Sequence, residues 1–279
     1  MVHQLLPGIF TADHRVAEGK NGIIIGRRRA VAIDTGNDRD EGQALADFIC
    51  SQGHTADWLI LTHGHGDHIL GGSAFARAEV FSHVCTPAVI AEEVEQLAAR
   101  SGESMDAVSA RVARPTITFD GELCLDLGDR QLLLFPTPGH SPDGISIYLP
   151  AERLLFAGDT VATGIAPAIS AGDSQALGAS LQRLRTLEID VLVAGHGPVL
   201  YGQERVHDWL GWVLSYLEGV RKAVQAGLAR GDEPAALAAS IDYASHIGDR
   251  LPADRHGMAR RHRLAVEKII AEEQAQRGA

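Results

Sequence analysis

The chain is short of cysteine, of aromatic residues and of positive charge, and it has no long apolar run. Cys50, Cys85 and Cys124 are its only cysteines, an odd number with no CxxC spacing. That argues against a disulfide framework and against a thiolate zinc site, and leaves the three to be read as small buried hydrophobes. No window reaches the ~18 consecutive apolar residues of a membrane span, and the opening MVHQLLPGIF lacks the basic start and long apolar stretch of a secretory signal. The expectation is a cytoplasmic protein with no membrane partner. Lysine and arginine number 25 against 36 aspartates and glutamates, for a formal net charge of -11. Binding a long polyanion would add to that repulsion instead of releasing counterions, so nucleic acid is not expected as a partner and a small-molecule substrate is.

What the chain does have is a hydrophobic content of 45%, ordinary for a packed core, and a length of 279 residues that suits one large domain or two small ones. Short apolar runs bounded by Gly, Asp or Pro recur through the first two hundred positions: GIIIG (22–26), AVAID (30–34), DWLIL (57–61), QLLLF (131–135), ISIYL (145–149), RLLFA (153–157) and DVLVA (190–194). They read as buried strands. Helical patterns at 39–52, 87–113 and 174–187 lie between them, so the fold class is α/β. From Gln203 the texture changes. Val206, Trp209, Val213, Leu217, Val220 and Val224 form an apolar stripe along one long helix, broken at Gly231 and Asp232. Two further helical stretches follow near 233–241 and 256–274, the second after Pro252. Residues 1–202 are therefore expected to form the core and 203–279 a helical C-terminal segment packed on it, with helices that could also serve a homodimer interface.

The 13 histidines do not scatter evenly. Four of the apolar runs lead into a metal-ligand side chain: LILTH at His63, LLLFPTPGH at His140, LLFAGD at Asp159 and VLVAGH at His196. In α/β sheets functional groups gather beyond the carboxyl ends of strands, so these segments are expected to meet at one rim. The stretch HGHGDH adds His65, Asp67 and His68 to His63. Leaving a strand in extended form, His63 and His65 project to one side, and the following turn presents Asp67 and His68 in another direction, which allows two adjacent sites. Gly64 and Gly66 leave no side chain to crowd an ion and permit tight backbone conformations, including positive φ. Imidazole and carboxylate without thiolate suit zinc, or else iron, manganese or nickel.

THGHGDH, TPGH, AGDT and AGHGP, in that order, resemble the metallo-β-lactamase superfamily on its glyoxalase II-like hydrolase side, over about residues 5–200. The resemblance implies an αββα sandwich with a binuclear centre between two sheets and a C-terminal helical extension. Carried over by motif, His63, His65 and His140 would hold one metal, Asp67, His68 and His196 the second, and Asp159 would bridge them. Asp34, in AIDTG, matches a position that supports the metal shell, although a plain turn role is as good a reading. A bridging aspartate is usual in the family's thioesterases, lactonases and phosphodiesterases and generally missing from its true β-lactamases, so antibiotic hydrolysis recedes.

Two transition metals, zinc first and iron or manganese next, would lower the pKa of a bound water enough to supply hydroxide near neutral pH. The expected enzyme is thus a binuclear hydrolase of an ester, thioester or lactone, with Asp67 passing a proton to the leaving group while still acting as a ligand. Ser141 lies in GHSPDG, outside any GxSxG elbow, so no serine nucleophile is expected. A small-molecule phosphodiesterase and an iron-dependent persulfide dioxygenase are the alternatives. His83, His207, His246, His256 and His262 match no ligand position and read as surface or structural groups. Trp209 and Trp212 either line a pocket or pack the core. The substrate itself is less legible. Lactonases of the family carry a tyrosine where this chain has Ala162, and GDTVATGIAP departs from the GDTLF-like pattern of glyoxalase II, so a differently specialised acyl hydrolase is expected.

Overall fold

The computed structural model describes residues 1–16, 18–248, 250–251 and 257–278. Strands β1 (Val2–Leu6), β2 (Ile9–Asp13), β3 (Lys20–Ile25), β4 (Ala30–Ile33), β5 (Trp58–Ile60), β6 (Glu79–His83) and β7 (Ile117–Phe119) lie side by side in that order in a first sheet. A second sheet holds β8 (Leu123–Asp126), β9 (Gln131–Pro136), β10 (Ile145–Leu149), β11 (Leu154–Phe156), β12 (Val191–Val193) and β13 (Leu200–Tyr201), in the spatial order β13-β12-β11-β10-β9-β8. The helices are α1 (Arg39–Ser51), α2 (Gly66–Ile69), α3 (Thr86–Ser101), α4 (Met105–Ser109), α5 (Ser174–Leu184), α6 (Gln203–Arg230), α7 (Pro234–Ser240), α8 (Tyr243–Ile247) and α9 (Met258–Gly278).

Successive strand residues point to opposite faces, and here both faces are apolar. Ile24, Val31, Ile33 and Ile60 of the first sheet meet Leu132, Ile147, Leu154 and Val193 of the second in one buried cluster between the sheets. Their neighbours Ile23, Ala32 and Leu59 face the other way, onto Leu45 and Ile49 of α1 and Val94 of α3. On the far side, Leu155 and Leu192 join Leu181 of α5 and Leu210 and Val213 of α6. The layers are therefore helix, sheet, sheet, helix. Each fully buried Ile or Leu contributes roughly 1.5–3 kcal/mol, and this number of them makes the sandwich self-supporting.

All seven apolar runs are strands. The strands without such runs are β1, β2, β6, β7, β8 and β13, which mix polar residues with apolar ones or span as few as two residues. The single helix expected over 87–113 is two, because Gly102 ends α3 in the left-handed conformation at φ 75° and Ser104 caps α4 by accepting from Ala107 N. The cysteines differ from expectation: all three are free and exposed. Cys124 lies on the edge strand β8 and Cys85 immediately before α3, positions with no core to enter.

Along α6 the stripe Val206, Trp209, Val213, Leu217, Val220 and Val224 is buried. Arg221 reaches across to Glu272 and Glu273 of α9 and to Ser174 at the start of α5, clasping the C-terminal helices to the second sheet's outer layer. The short α8 lies between the expected helices, and Pro252 and His256 fall outside the described residues. Among the described residues no helix is long and apolar enough to cross a membrane.

Candidate metal centre

Strand direction decides where the ligand-bearing segments emerge. β4, β5 and β6 run parallel, so Asp34 and His63 leave the first sheet at the same rim. β11 and β12 are also parallel, and β9 runs with them because β10 is antiparallel to both of its neighbours. His140, Asp159 and His196 follow those three strands. Ile145 N donates to Thr62 O at 2.9 Å, which ties the sheets together beside the rim.

All seven expected ligands converge there. His63, His65 and His140 form one group, and Asp67, His68 and His196 another, each with one ligand-type atom per residue lying within 4.8 Å of the others. His63, His68 and Asp159 make a third such group, which joins the first two. Asp159 Oδ2 stands 3.4 Å from His140 Nε2 and 3.4 Å from His196 Nε2, while its Oδ1 is 3.4 Å from His68 Nε2. One carboxylate therefore touches both triads.

Two observations show that this donor set fits metal ions. His63 Nε2, His68 Nε2 and Asp159 Oδ1 are buried with no hydrogen-bond partner, and an orphaned buried polar atom costs roughly 1–3 kcal/mol. His140 Nδ1 donates to Ala168 O at 2.7 Å, so Nε2 is the ring nitrogen it presents to the site, 2.8 Å from His65 Nδ1. Two imidazole nitrogens of different segments thus point at one place, with His63 completing the group. His68 and His63 are held from outside: Asp34 accepts from His68 Nδ1 at 2.8 Å and from Thr62 N and Oγ1, each at 2.7 Å, and Thr62 Oγ1 lies 3.1 Å from His63 Nδ1. Asp34 sits at φ 59°, a left-handed conformation that Asp tolerates, and it supports the site through His68. Gly64 and Gly66 have no positive φ, contrary to expectation. Their small size serves packing, since a β-carbon on Gly64 would come within 3.1 Å of Val89 and Ile90 on α3.

Without metal the site is a network of ion pairs. Burial disfavours a charge on His196, but the Asp159 and Asp67 carboxylates outweigh it and push the imidazole up to about 10. His68 is likewise raised against burial by Asp67, Asp34 and Asp159. Burial and the neighbouring histidines hold His63 and His65 below the ordinary range. A histidine whose folded pKa is raised stabilises the fold fully below the ordinary value near 6.5, and that contribution disappears as pH rises through the folded value. Chelator-stripped protein is therefore expected to unfold at lower urea at pH 10 than at pH 7. Equal midpoints would show that the carboxylates do not hold the proton.

Four of the other histidines are accounted for locally. His83 Nδ1 accepts from Cys85 N, His207 pairs with Leu187 O, and His246 with Asp242 O. His262 is buried between Tyr216 OH and Ile241 O. Trp209 is core, its Nε1 donating to Ala162 O at 2.9 Å, with Trp212 stacked on it. Ser141 is buried in the turn after His140. One residue at the rim went unforeseen: His14, whose ring centroid lies 6.0 Å from that of His68 and 6.5 Å from that of His196. The signal was the same as for the other four segments, a strand (IFTAD) running into histidine, but β2 carries no continuous apolar run to announce it.

A family model described as the metallo-beta-lactamase superfamily matches residues 19–196. The chain belongs to this superfamily. It is 28% identical over 198 residues to a beta-lactamase-like protein 2 homolog of Caenorhabditis elegans, covering 70% of this chain and 59% of that one. It is 29% identical over 170 residues to a hydroxyacylglutathione hydrolase of Chromohalobacter salexigens, covering 60% of this chain and 57% of the relative. The chain thus spans less than two thirds of the length of either. Among solved structures, a metallo-beta-lactamase family protein from Thermus thermophilus superposes with a TM-score of 0.69 at 22% identity, over 99% of this chain and 96% of that one. That likeness extends the shared fold through the C-terminal helices.

Proposed function

We propose that the protein is a metal-dependent hydrolase that holds two transition-metal ions and cleaves a small ester, thioester or lactone. The observation that carries this reading is the placement of Asp159, with one carboxylate oxygen 3.4 Å from a histidine of each triad. Nitrogen-rich, thiolate-free ligation favours zinc, with iron or manganese next. When bound, two such ions lower the pKa of a coordinated water toward neutrality and polarise a substrate carbonyl.

The chain's own groups prepare the site for that chemistry. Asp34 keeps His68 in the tautomer that presents Nε2 inward, and the Ala168 carbonyl does the same for His140. Asp67 is 29% exposed at its side chain against 12% for Asp159, while its Oδ2 stays 3.1 Å from His196 Nε2. A carboxylate that touches both the triad and the opening is placed to pass a proton to a departing oxygen or sulfur. The similarity to a relative named for hydrolysis of hydroxyacylglutathione favours a thioester. At position 162, where a tyrosine would polarise a lactone carbonyl, there is an alanine whose carbonyl is occupied by Trp209.

The test is a panel run on zinc-replete protein: p-nitrophenyl acyl esters, S-acyl thioesters and homoserine lactones beside bis-p-nitrophenyl phosphate, with elemental analysis of the same preparation. The expected result is two ions per chain and turnover of acyl substrates, thioesters ahead. Phosphodiester cleavage without acyl turnover would replace this reading by the phosphodiesterase one. A single iron after anaerobic purification would point to persulfide oxidation.

A further inference from the structure

β2 is antiparallel to β3 and β3 to β4, so β2 runs with β4 and delivers His14 to the same rim as Asp34 and His63. His14 is only 7% exposed. Its Nε2 donates to Asn21 Oδ1 at 3.1 Å and its backbone N to Gly19 O at 2.9 Å, so the ring is fixed from two sides. It presents an edge to His68 at an interplanar angle of 66° and to His196 at 82°. These two imidazoles belong to the same triad but come from different sheets.

The backbone reinforces the connection. Gly19 forms an isolated antiparallel bridge with His196, Lys20 N donates to Gly195 O at 2.9 Å, and Gly197 N donates to Glu18 O at 3.0 Å. Residues 18–20 thus sew the first sheet to the turn that carries His196. The His14 ring lies directly on this strap, for a β-carbon added to Gly19 would fall 2.0 Å from His14 Nδ1. That Nδ1 is buried with no hydrogen-bond partner, so on this side the ring meets its neighbours through packing alone. Among the described residues no ligand group includes His14, and it stands one layer outside the site.

We propose that His14 is a positioning residue for the second metal position: its ring is the common wall that holds His68 and His196 at their mutual spacing. The inference rests on the binuclear reading above. Among the described residues the first triad, His63, His65 and His140, has no ring contact with His14, so its ion should bind independently of that ring. Ring volume does the work, while Asn21 and Gly19 determine where the ring stands. Outer groups that orient metal ligands typically contribute about 10–100-fold in affinity, which sets the expected effect.

The experiment titrates Zn²⁺, and in parallel Co²⁺ with its visible spectrum, into chelator-stripped wild type, His14→Ala, His14→Gln and His14→Phe, and records the melting temperature of each metal-free chain. In the two ringless variants one ion is expected to bind as in wild type and the other about 10–100-fold more weakly. His14→Phe, which keeps the ring and loses the Asn21 bond, should retain the second ion. The proposal is overturned if the ringless variants bind both ions as wild type does, or if both sites weaken together. It is equally overturned if both ringless chains fail to fold, since the role would then be structural. Wild-type protein that binds fewer than two ions would instead overturn the binuclear reading, and with it the premise, whatever the variants do.

Discussion

Replacing His65 with alanine is expected to lower hydrolysis by about 10³-fold or more, the upper end of what a single transition-state stabiliser supplies, while the chain stays folded. His65 supplies a nitrogen 2.8 Å from His140 Nε2 and belongs to the first triad alone. Losing it leaves His63 and His140, two ligands where a stable site needs three or four. The fold should tolerate the change because no core cluster includes His65, and the three layers of buried Ile, Leu and Val meet without it. The readouts are ion content, which should fall from two toward one, and a circular dichroism melt, which should move little. Global unfolding of this variant would show that the site is structural, as in a small zinc-dependent domain, and would remove the argument that a preformed sandwich presents the ligands.

The sequence shows the interior strands plainly because both of their faces are buried. GIIIG, AVAID and DVLVA each carry three or four consecutive apolar side chains, and only a strand covered on two sides can use such a run. Edge and near-edge strands are hidden for the converse reason. β1 reads VHQLL with His3 and Gln4 exposed, and β13 is two residues long, so neither carries a pattern that distinguishes it from loop. The division of 87–113 into two helices was readable in principle from SGES, a left-handed stop followed by a capping serine, but a run of alanines on either side masks it.

Legibility of the site follows from legibility of the strands. His63, His140, Asp159 and His196 stand out because each follows a strong apolar run, and HGHGDH brings three further ligand-type residues along. His14 occupies an equivalent place after β2 and is missed because that strand is half polar. Asp34 shows the limit of residue-level reading: AIDTG is compatible with a plain turn, and only the 2.8 Å contact with His68 Nδ1 distinguishes the two roles. Substrate preference is less legible still, since position 162 serves Trp209 and the bridge to His196 through its backbone, and a backbone role leaves no mark in the sequence.

Asp159→Asn is expected to weaken metal binding and to lower kcat/KM by about 10²–10³-fold, although the side chain hardly changes in size. The carboxylate lies among His68, His140 and His196 at 3.4 Å from each, so its charge is the element both triads share. Burial opposes that charge, yet the three imidazoles hold Asp159 well below the usual carboxylate range, which keeps it ionised and available to a cation at any working pH. An amide offers one neutral oxygen and, on the other arm, an NH₂ that donates instead of accepting. One triad must therefore lose its contact or face a donor. With the negative charge gone, the main force raising His196 is also lost, so in the metal-free variant that imidazole should titrate nearer neutrality than about 10. Two measurements separate these effects: ion stoichiometry against zinc concentration, and the pH dependence of urea unfolding after chelation. The first should show the second ion bound only at high zinc. The second should show a smaller fall in stability between pH 7 and pH 10, the part due to His68 beside Asp67 and Asp34 remaining. A variant that carries both ions at low zinc and hydrolyses acyl substrates at the wild-type rate would remove Asp159 from the bridging role, and the two triads would then have to be read as independent sites.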